Sequence, residues 1–465
     1  MKFTEKYSKA FQYLLPTPLS IAFILTLVTF LCAYLFTNEN YQGEEVYLFK
    51  LLGYWEEGLW NKSLMVFAMQ MMLMLVLGHI LAVTPFISKI IKFITKFATS
   101  NAKAAALVTF STILVALFNW GLGLIFGAII SRKIGEKALK EGMSLNYPLI
   151  GAAGYSCLMV WHGGISGSST TKVAEEGHLS NLMQGILTEE KLALLPNSIP
   201  FSETVFSGMN IYACFAVLII LPGLMYFLGK RRVSTDLSIL KYNSDSVEEQ
   251  SNEPKGAEHF DTSILTTKTI GLIVLIYICY KISSQANLLQ FGFITPNFIN
   301  LTLFGLAILF HKNILAFLKA TDQAIGGASG ILIQFPLYFG IMGIMKSSGL
   351  VNLMSGFFVE IANETTFPIF TMISAGIVNI FVPSGGGQWA VQGPIIIQAA
   401  ESLQVPFSKS IMALAYGDQL TNMLQPFWAL PLLGITKLKA KDIIPYTLIL
   451  MLTGSLIYLS ALLLF

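Results

Sequence analysis

Charge is what this sequence has least of. Lys, Arg, Asp and Glu make up 12% of its 465 residues, against 54% hydrophobic, where a soluble domain averages about 25% charged. Such a composition excludes a water-soluble globule, because too little polar surface remains to cover the core. Arginine is scarcer still: Arg132, Arg231 and Arg232 are the only three. Each lies in a basic flank, so no guanidinium fork for a dicarboxylate sits within an apolar run. The four cysteines (Cys32, Cys157, Cys214, Cys279) stand singly, which excludes a CxxC zinc site or a disulfide framework. The five histidines contain no HExxH and no i, i+4 pair, so a metal enzyme lacks its ligand pattern. A net charge of +3 offers no footprint for nucleic acid. No cofactor and no nucleic-acid partner are expected; the lipid bilayer is.

Apolar runs of about 20 residues, the length that crosses hydrocarbon as a helix, recur along the whole chain. The reading is an all-α polytopic membrane protein. Lys2, Lys6 and Lys9 precede the first run, 18–37, which is too long for a secretory signal and is followed by no small-residue cleavage site.

Flanking charge sets a topology through the positive-inside rule. Glu39, Glu44, Glu45, Glu56 and Glu57 follow the first run; Lys89, Lys92, Lys96 and Lys103 follow the second, 64–84. These place the N-terminus and 85–103 in the cytoplasm and 38–62 outside. The stretch 104–130 is broken by "NWGLG" and has basic flanks at both ends, so it reads as a hairpin entering from the cytoplasm. A span at 146–161 leads to an acidic external segment, 172–203, and 205–229 returns to Lys230, Arg231 and Arg232. Residues 230–265 read as a poorly ordered cytoplasmic linker between a first repeat, 1–229, and a second part, 266–465. That part has spans at 266–286, 296–310 and 324–345. Its hairpin, 366–382 and on to 400, has acidic flanks (Glu360, Glu364, Glu401) and opens outside. A broken span, 408–434, and a last one, 443–464, leave the C-terminus external. Gln70 and Gln334, Gly121 and Gly385, and Gly123 and Gly387 share one register offset. Together with the opposite flanking charges, this predicts two inverted-topology repeats, each with a re-entrant hairpin and a broken transmembrane helix.

The breaks carry the chemistry. In "PSGGGQWAVQGP" (383–394) the glycines expose backbone N–H groups, and a helix beginning near Gln388 aims its positive end at the tip, a setting that favours anions. The competing reading is a tight turn or a close helix contact. Ser384, Gly385, Gly386, Gly387, Gln388, Trp389 and Gln392 are the candidate substrate residues here, with Asn119, Gly121 and Gly123 in the first hairpin. Ser166 and Ser168 of "WHGGISGSST" join them, or else lie in an interfacial loop. Asp418 is a lone acid inside an apolar span, costly by about 2.5–3.5 kcal/mol on insertion scales and by default a mark of an ion or proton path. Gln419 and Asn422 complete that candidate coupling site, for H⁺ or Na⁺. His79 and the methionines of "MQMMLMLVLG" read as packing within the bundle.

The blocks "FVPSGGGQWAVQGPIIIQAA", "ALAYGDQLTNMLQPFWALP", "FNWGLGLIFGA" and "VFSGMNIY" resemble those of the short-chain fatty acid transporter family, bacterial permeases for acetoacetate and butyrate, nearly from end to end. The resemblance implies a secondary transporter, not an enzyme, that carries small monocarboxylate anions across the bacterial cytoplasmic membrane coupled to H⁺ or Na⁺. It is in turn similar to a wider ion-transporter superfamily with inverted repeats, paired hairpins and a dimeric, elevator-like organisation. The Ser-Asn-Thr hairpin motif of the dicarboxylate branch is absent, which speaks against citrate or succinate. Two other readings stand beside it. One is a dicarboxylate exchanger or cation/proton antiporter; the other is an intramembrane enzyme, for which His162 with Ser166 or Ser168 is the candidate nucleophile cluster.

Overall fold

The computed structural model describes residues 18–38, 43, 46–230, 235, 237, 240, 256–285, 293–382 and 385–465. All regular elements among these residues are helical. They run α1 Pro18–Thr37, α2 Tyr47–Leu59, α3 Lys62–Ala82, α4 Pro85–Thr95, α5 Asn101–Phe118, α6 Trp120–Glu141 and α7 Tyr147–Tyr155. A 3₁₀ turn, Ser156–Val160, precedes α8 Ser168–Val173, α9 His178–Met183, α10 Glu189–Leu194 and α11 Gly208–Gly229. There follow α12 Glu258–Thr262, α13 Ile264–Ser283, α14 Pro296–Phe310, α15 Ile314–Ser347, α16 Leu350–Ile361, α17 Phe367–Phe381, α18 Gly385–Leu403 and α19 Phe407–Thr421. A 3₁₀ turn at Asn422–Leu424 leads to α20 Pro426–Thr436 and α21 Ala440–Leu464.

Five described helices (α3, α5, α11, α13 and α21) are long and apolar enough to cross a membrane, and the protein is a multi-pass membrane protein. α13 turns Leu272, Ile273, Ile276, Tyr277 and Tyr280 outward, and α1 does the same with Leu27, Leu31 and Leu35. Lipid, as apolar as leucine, provides no hydrophobic drive for helices to associate, so close backbone approach has to hold them. At the α2–α15 crossing a Cβ on Gly58 would fall 2.9 Å from Gly343 Cα and 3.0 Å from Gly340 Cα. Larger residues there would force the helices apart.

Both hairpins anticipated from the sequence are present, and they open toward opposite ends. In the first, Asn119 alone joins α5 to α6. Gly123 closes on Ala116 and Gly127 on Thr112, while Lys137 Nζ donates to Thr95 O (3.0 Å) beside the start of α5. At that same end Asn101 Nδ2 donates to Gly229 O (2.7 Å) and Arg132 Nη1 to Ile435 O (2.8 Å). In the second, α17 and α18 lie antiparallel, with Gln388 Nε2 donating to Ala375 O (2.8 Å). Its far end meets the 172–203 segment through Lys191 Nζ and Glu401 Oε2 at 2.8 Å.

Several boundaries differ from the sequence reading. The segment 38–62, read from the sequence only as an acidic stretch outside the membrane, contains α2, packed on α15. The span expected at 324–345 belongs to α15, 34 residues long or about 50 Å at 1.5 Å per residue, which outruns the hydrocarbon. α16 was not anticipated. α18 begins at Gly385 rather than near Gln388, so the three glycines form its first turn. Of the expected linker 230–265, much lies outside the described residues. Thr235 is described, and its N–H donates to Leu145 O at 3.0 Å. The N-terminus, placed in the cytoplasm by its lysines, also lies outside them.

A candidate carboxylate and coupling site between two broken helices

Two helices break at the centre of the protein, and local sequence accounts for both. α7 tightens into a 3₁₀ turn and then unwinds over 161–167, a stretch containing Gly163, Gly164 and Gly167. α19 stops at Thr421 because Pro426 has no N–H to donate and forces the residue before it out of the helical region. Gln425 accordingly sits at φ −90°, ψ 121°. The breaks face each other: Tyr155 OH donates to the carbonyls of Asn422 (2.9 Å) and Gln425 (3.0 Å). Gln419 Oε1 accepts from the N–H groups of His162 (2.9 Å) and Gly163 (3.3 Å).

Asp418 and His162 meet here, with His162 Nε2 3.3 Å from Asp418 Oδ2 and both side chains fully buried. Ser168 N–H donates to His162 Nδ1 at 3.1 Å, which fixes the neutral tautomer with its proton on Nε2, facing the carboxylate. Neither oxygen of Asp418 accepts a hydrogen bond of good geometry from a described residue. His162 entered the sequence reading only as an enzyme candidate. It is 256 residues from Asp418, and nothing local to either marks the pairing. The serines beside it are not poised for its ring: Ser168 reaches it through the backbone, and Ser166 Oγ accepts from Trp120 N–H (3.0 Å).

The hairpin tips close on these breaks. Asn119 Oδ1 accepts from Leu122 N–H (2.7 Å), capping α6, and Ile165 N–H donates to Leu117 O (2.9 Å). Gly121 lies against Leu75 and Met74 of α3, and Gly123 against Ala116, as packing positions. At the second tip, a Cβ on Gly385 would stand 2.4 Å from His162 Cε1 and 3.1 Å from Ser168 Oγ. One on Gly386 would strike the rings of Phe67 (2.8 Å) and Phe335 (3.1 Å). A branched residue at Gly386 would therefore collide with aromatic packing before it could obstruct a ligand. Gly385, Gly386 and Gly387 are all buried in the first turn of α18, where the N–H groups of Gly385 and Gly386 have no intrahelical acceptor. Gln388 Nε2 also donates to Gln392 Oε1 (2.7 Å). Trp389 turns away, donating from Nε1 to His178 Nε2 (2.9 Å). Ser384 lies outside the described residues.

Polar atoms with no partner among the described residues collect around these breaks. Asn119 Nδ2, Trp120 Nε1, Trp161 Nε1, Gln419 Nε2 and Asn422 Nδ2 are donors; Asp418, Gln388 Oε1, Asn379 Oδ1 and Gln425 Oε1 are acceptors. Leaving one such group unmade costs about 1–3 kcal/mol, so a cluster of both kinds suits an anion and a proton or cation together. Asn379 was not singled out in the sequence, yet its Nδ2 donates to Asp418 O (2.7 Å) and Asn422 Oδ1 (3.0 Å). The aromatic wall was also missed: Trp120 stacks on Trp161 at 4.2 Å, Trp161 on His162 at 5.1 Å, and Trp428 stands edge-on to both indoles. From Trp428 a cavity of about 440 Å³, lined also by His79, Leu124, Ile125, Gln323 and Ile435, extends toward the end where the first hairpin opens.

The whole chain, residues 1–465, matches the family described as "Short chain fatty acid transporter". The chain belongs to the short-chain fatty acid transporter family. A short-chain fatty acid transporter candidate of Escherichia coli (strain K12) is 34% identical over 455 residues, covering 97% of this chain and 96% of its own. One from Haemophilus influenzae is 35% identical over 437 residues, covering 93% and 92%. Among solved structures, the YdaH transporter of Alcanivorax borkumensis, described as having an unusual topology, superposes with a TM-score of 0.58 at 13% identity over 97% of this chain and 98% of that one. Neisseria gonorrhoeae MtrF, from a class of antimetabolite efflux pumps, gives 0.55 at 13% over 99% and 96%. At that identity the likeness speaks for the fold alone. The family is one of transporters, not enzymes.

Proposed function

We propose that this transporter carries short monocarboxylates of the acetate, butyrate and acetoacetate class across the bacterial cytoplasmic membrane, coupled to H⁺. The two halves act as inverted repeats, with the N-terminus cytoplasmic and the C-terminus external. The observation that carries this reading is Asp418 with His162, buried among unpaired carboxamide and indole donors. A charged Asp418 repels a carboxylate held nearby, and protonation removes that repulsion. Proton and anion then bind together. Of the arginines, Arg132 is engaged with Glu136 at the mouth of the first hairpin, and Arg231 and Arg232 lie outside the described residues. Carboxamides, indole N–H groups and first-turn amides suit one carboxylate, and the tryptophan wall suits a short acyl chain.

Counterflow of labelled butyrate in proteoliposomes tests the substrate. Imposed gradients test the coupling: an inside-alkaline pH gradient should concentrate butyrate, and a Na⁺ gradient alone should not. Asp418→Asn mimics the protonated acid, so it should keep counterflow while losing gradient-driven accumulation. Accumulation equal to the parent's in that variant would remove Asp418 from the coupling, and accumulation driven by Na⁺ alone would replace the proton.

A further inference from the structure

Lys172 is the one buried lysine or arginine among the described residues. The sequence placed it at the start of an external acidic segment. Instead its side chain is 7% exposed and pairs with Glu175, three residues on and 21% exposed. Its Nζ also donates to Gln70 Oε1 at 3.4 Å and lies 5.6 Å over the Phe67 ring. Gln70 Nε2 donates in turn to Glu175 Oε1 (3.1 Å) and to Asn297 Oδ1 (3.0 Å). Glu175 is thus gripped through both carboxylate oxygens, one by an ammonium from α8 and the other by an amide from α3.

Chemically, what sits in that grip is –CH₂–CH₂–COO⁻, a tethered propionate. The grip lies beside the second hairpin tip, since Phe67 beneath Lys172 is also the ring against which Gly386 packs. It also spans a seam. Gln70 and Asn297 belong to α3 and α14, and Lys172 and Glu175 belong to the segment that packs on α18. At the other end, between α3, α15, α6 and α20, the 440 Å³ cavity separates the elements.

We propose that Lys172 and Gln70 form a carboxylate-binding pair whose resting occupant is the Glu175 side chain, and that a short-chain carboxylate takes its place as the seam opens at this end. The proposal rests on the reading that the cargo is such a carboxylate. An intramolecular ligand on a short tether has an effective concentration in the millimolar range, so free carboxylate at comparable concentration competes with it. Truncating Glu175 leaves a buried ammonium without its counter-ion, a state that a diffusible carboxylate should relieve.

The test is rescue. Purified Glu175→Ala should melt below the parent. Propionate should raise its melting temperature by more than it raises the parent's, whereas propionamide and chloride at equal ionic strength should not. Lys172→Met combined with Glu175→Ala should abolish the extra shift. Equal shifts in parent and Glu175→Ala, or an extra shift that survives in the double variant, would overturn the proposal. If Glu175→Ala yields no folded protein, Glu175→Gln carries the test. It keeps the shape and removes the competing charge, so its half-saturation for butyrate in counterflow should fall below the parent's, and an unchanged value would overturn the pair. Should the parent itself show no butyrate counterflow, the proposed function falls, and the melting comparison still decides whether Lys172 and Gln70 hold a carboxylate.

Discussion

The two hairpins share a plan and differ in how they use it. In the first, arm packs on arm through glycine: Gly127 faces Thr112 and also admits the Gly154 carbonyl of α7. Its one-residue turn is tied by the Asn119 cap and, through Trp120 N–H, by Ser166. In the second, α17 packs on α19 instead, where Gly417 fits beneath Met372 O and Ala375, and α18 reaches across to His162. A hairpin whose arms hold each other moves as one piece. One whose arms belong to different neighbours can part at its tip. On the proposed function, the first tip serves structure and the second serves transport, and each variant below probes that division.

The largest effect should come from Gly127→Val. Its Cβ would lie 2.1 Å from Gly154 O and 2.8 Å from Thr112 Cγ2, and a backbone carbonyl cannot swing aside as a flexible side chain can. Overpacking of this kind costs about 1–3 kcal/mol or more, enough to lower abundance roughly several-fold. Membrane-fraction immunoblots should show that loss. A variant present at the parent's level would mean the first hairpin is not packed as a rigid unit.

Gly385→Ala should do the converse, keeping abundance and impairing coupling. The added methyl would press on His162 Cε1 and Nε2, at 2.4 and 2.7 Å, and move the ring from Asp418. With the 3.3 Å approach of His162 to Asp418 lost, accumulation driven by a pH gradient should weaken on the order of tenfold, or about 1.4 kcal/mol, while counterflow persists. Full accumulation in this variant would detach the second tip from the His162–Asp418 pair.

Hairpins, breaks and Asp418 were legible in the sequence because each violates a local rule. An acid in an apolar span, a triple glycine and a Pro after a polar run need no distant information to stand out. What was not legible depends on pairing across the chain. His162 looks like a loop residue until α19 is laid beside it, and Lys172, followed by Glu175 and Glu176, looks like the rim of an external segment. The tryptophans are ordinary apolar residues one by one, and only the stack of Trp120, Trp161 and Trp428 makes a wall. The glycines misled in one respect. Three in a row suggested non-helical backbone, yet α18 begins with them, because buried Phe67, Phe335 and His162 leave no room for side chains in that turn.

The smallest effect should be that of Asn119→Ala. The residue is at once the C-cap of α5 and the N-cap of α6, in extended conformation at φ −150°, ψ 123°. Alanine there removes the acceptor for Leu122 N–H, a loss of about 1 kcal/mol for such a cap. For a chain of this size the melting temperature should fall by about 1–2 °C. The remaining ties, Trp120 N–H to Ser166 and Ile165 N–H to Leu117 O, are untouched and should hold the tip in place. Asn119 also brings an unpaired Nδ2 donor to the centre, which gives this variant its second use. If the first tip is structural only, half-saturation for butyrate stays at the parent's value while the melting temperature drops. A several-fold rise in half-saturation with little thermal change would instead make Asn119 a ligand to the anion and give both tips a share of the site.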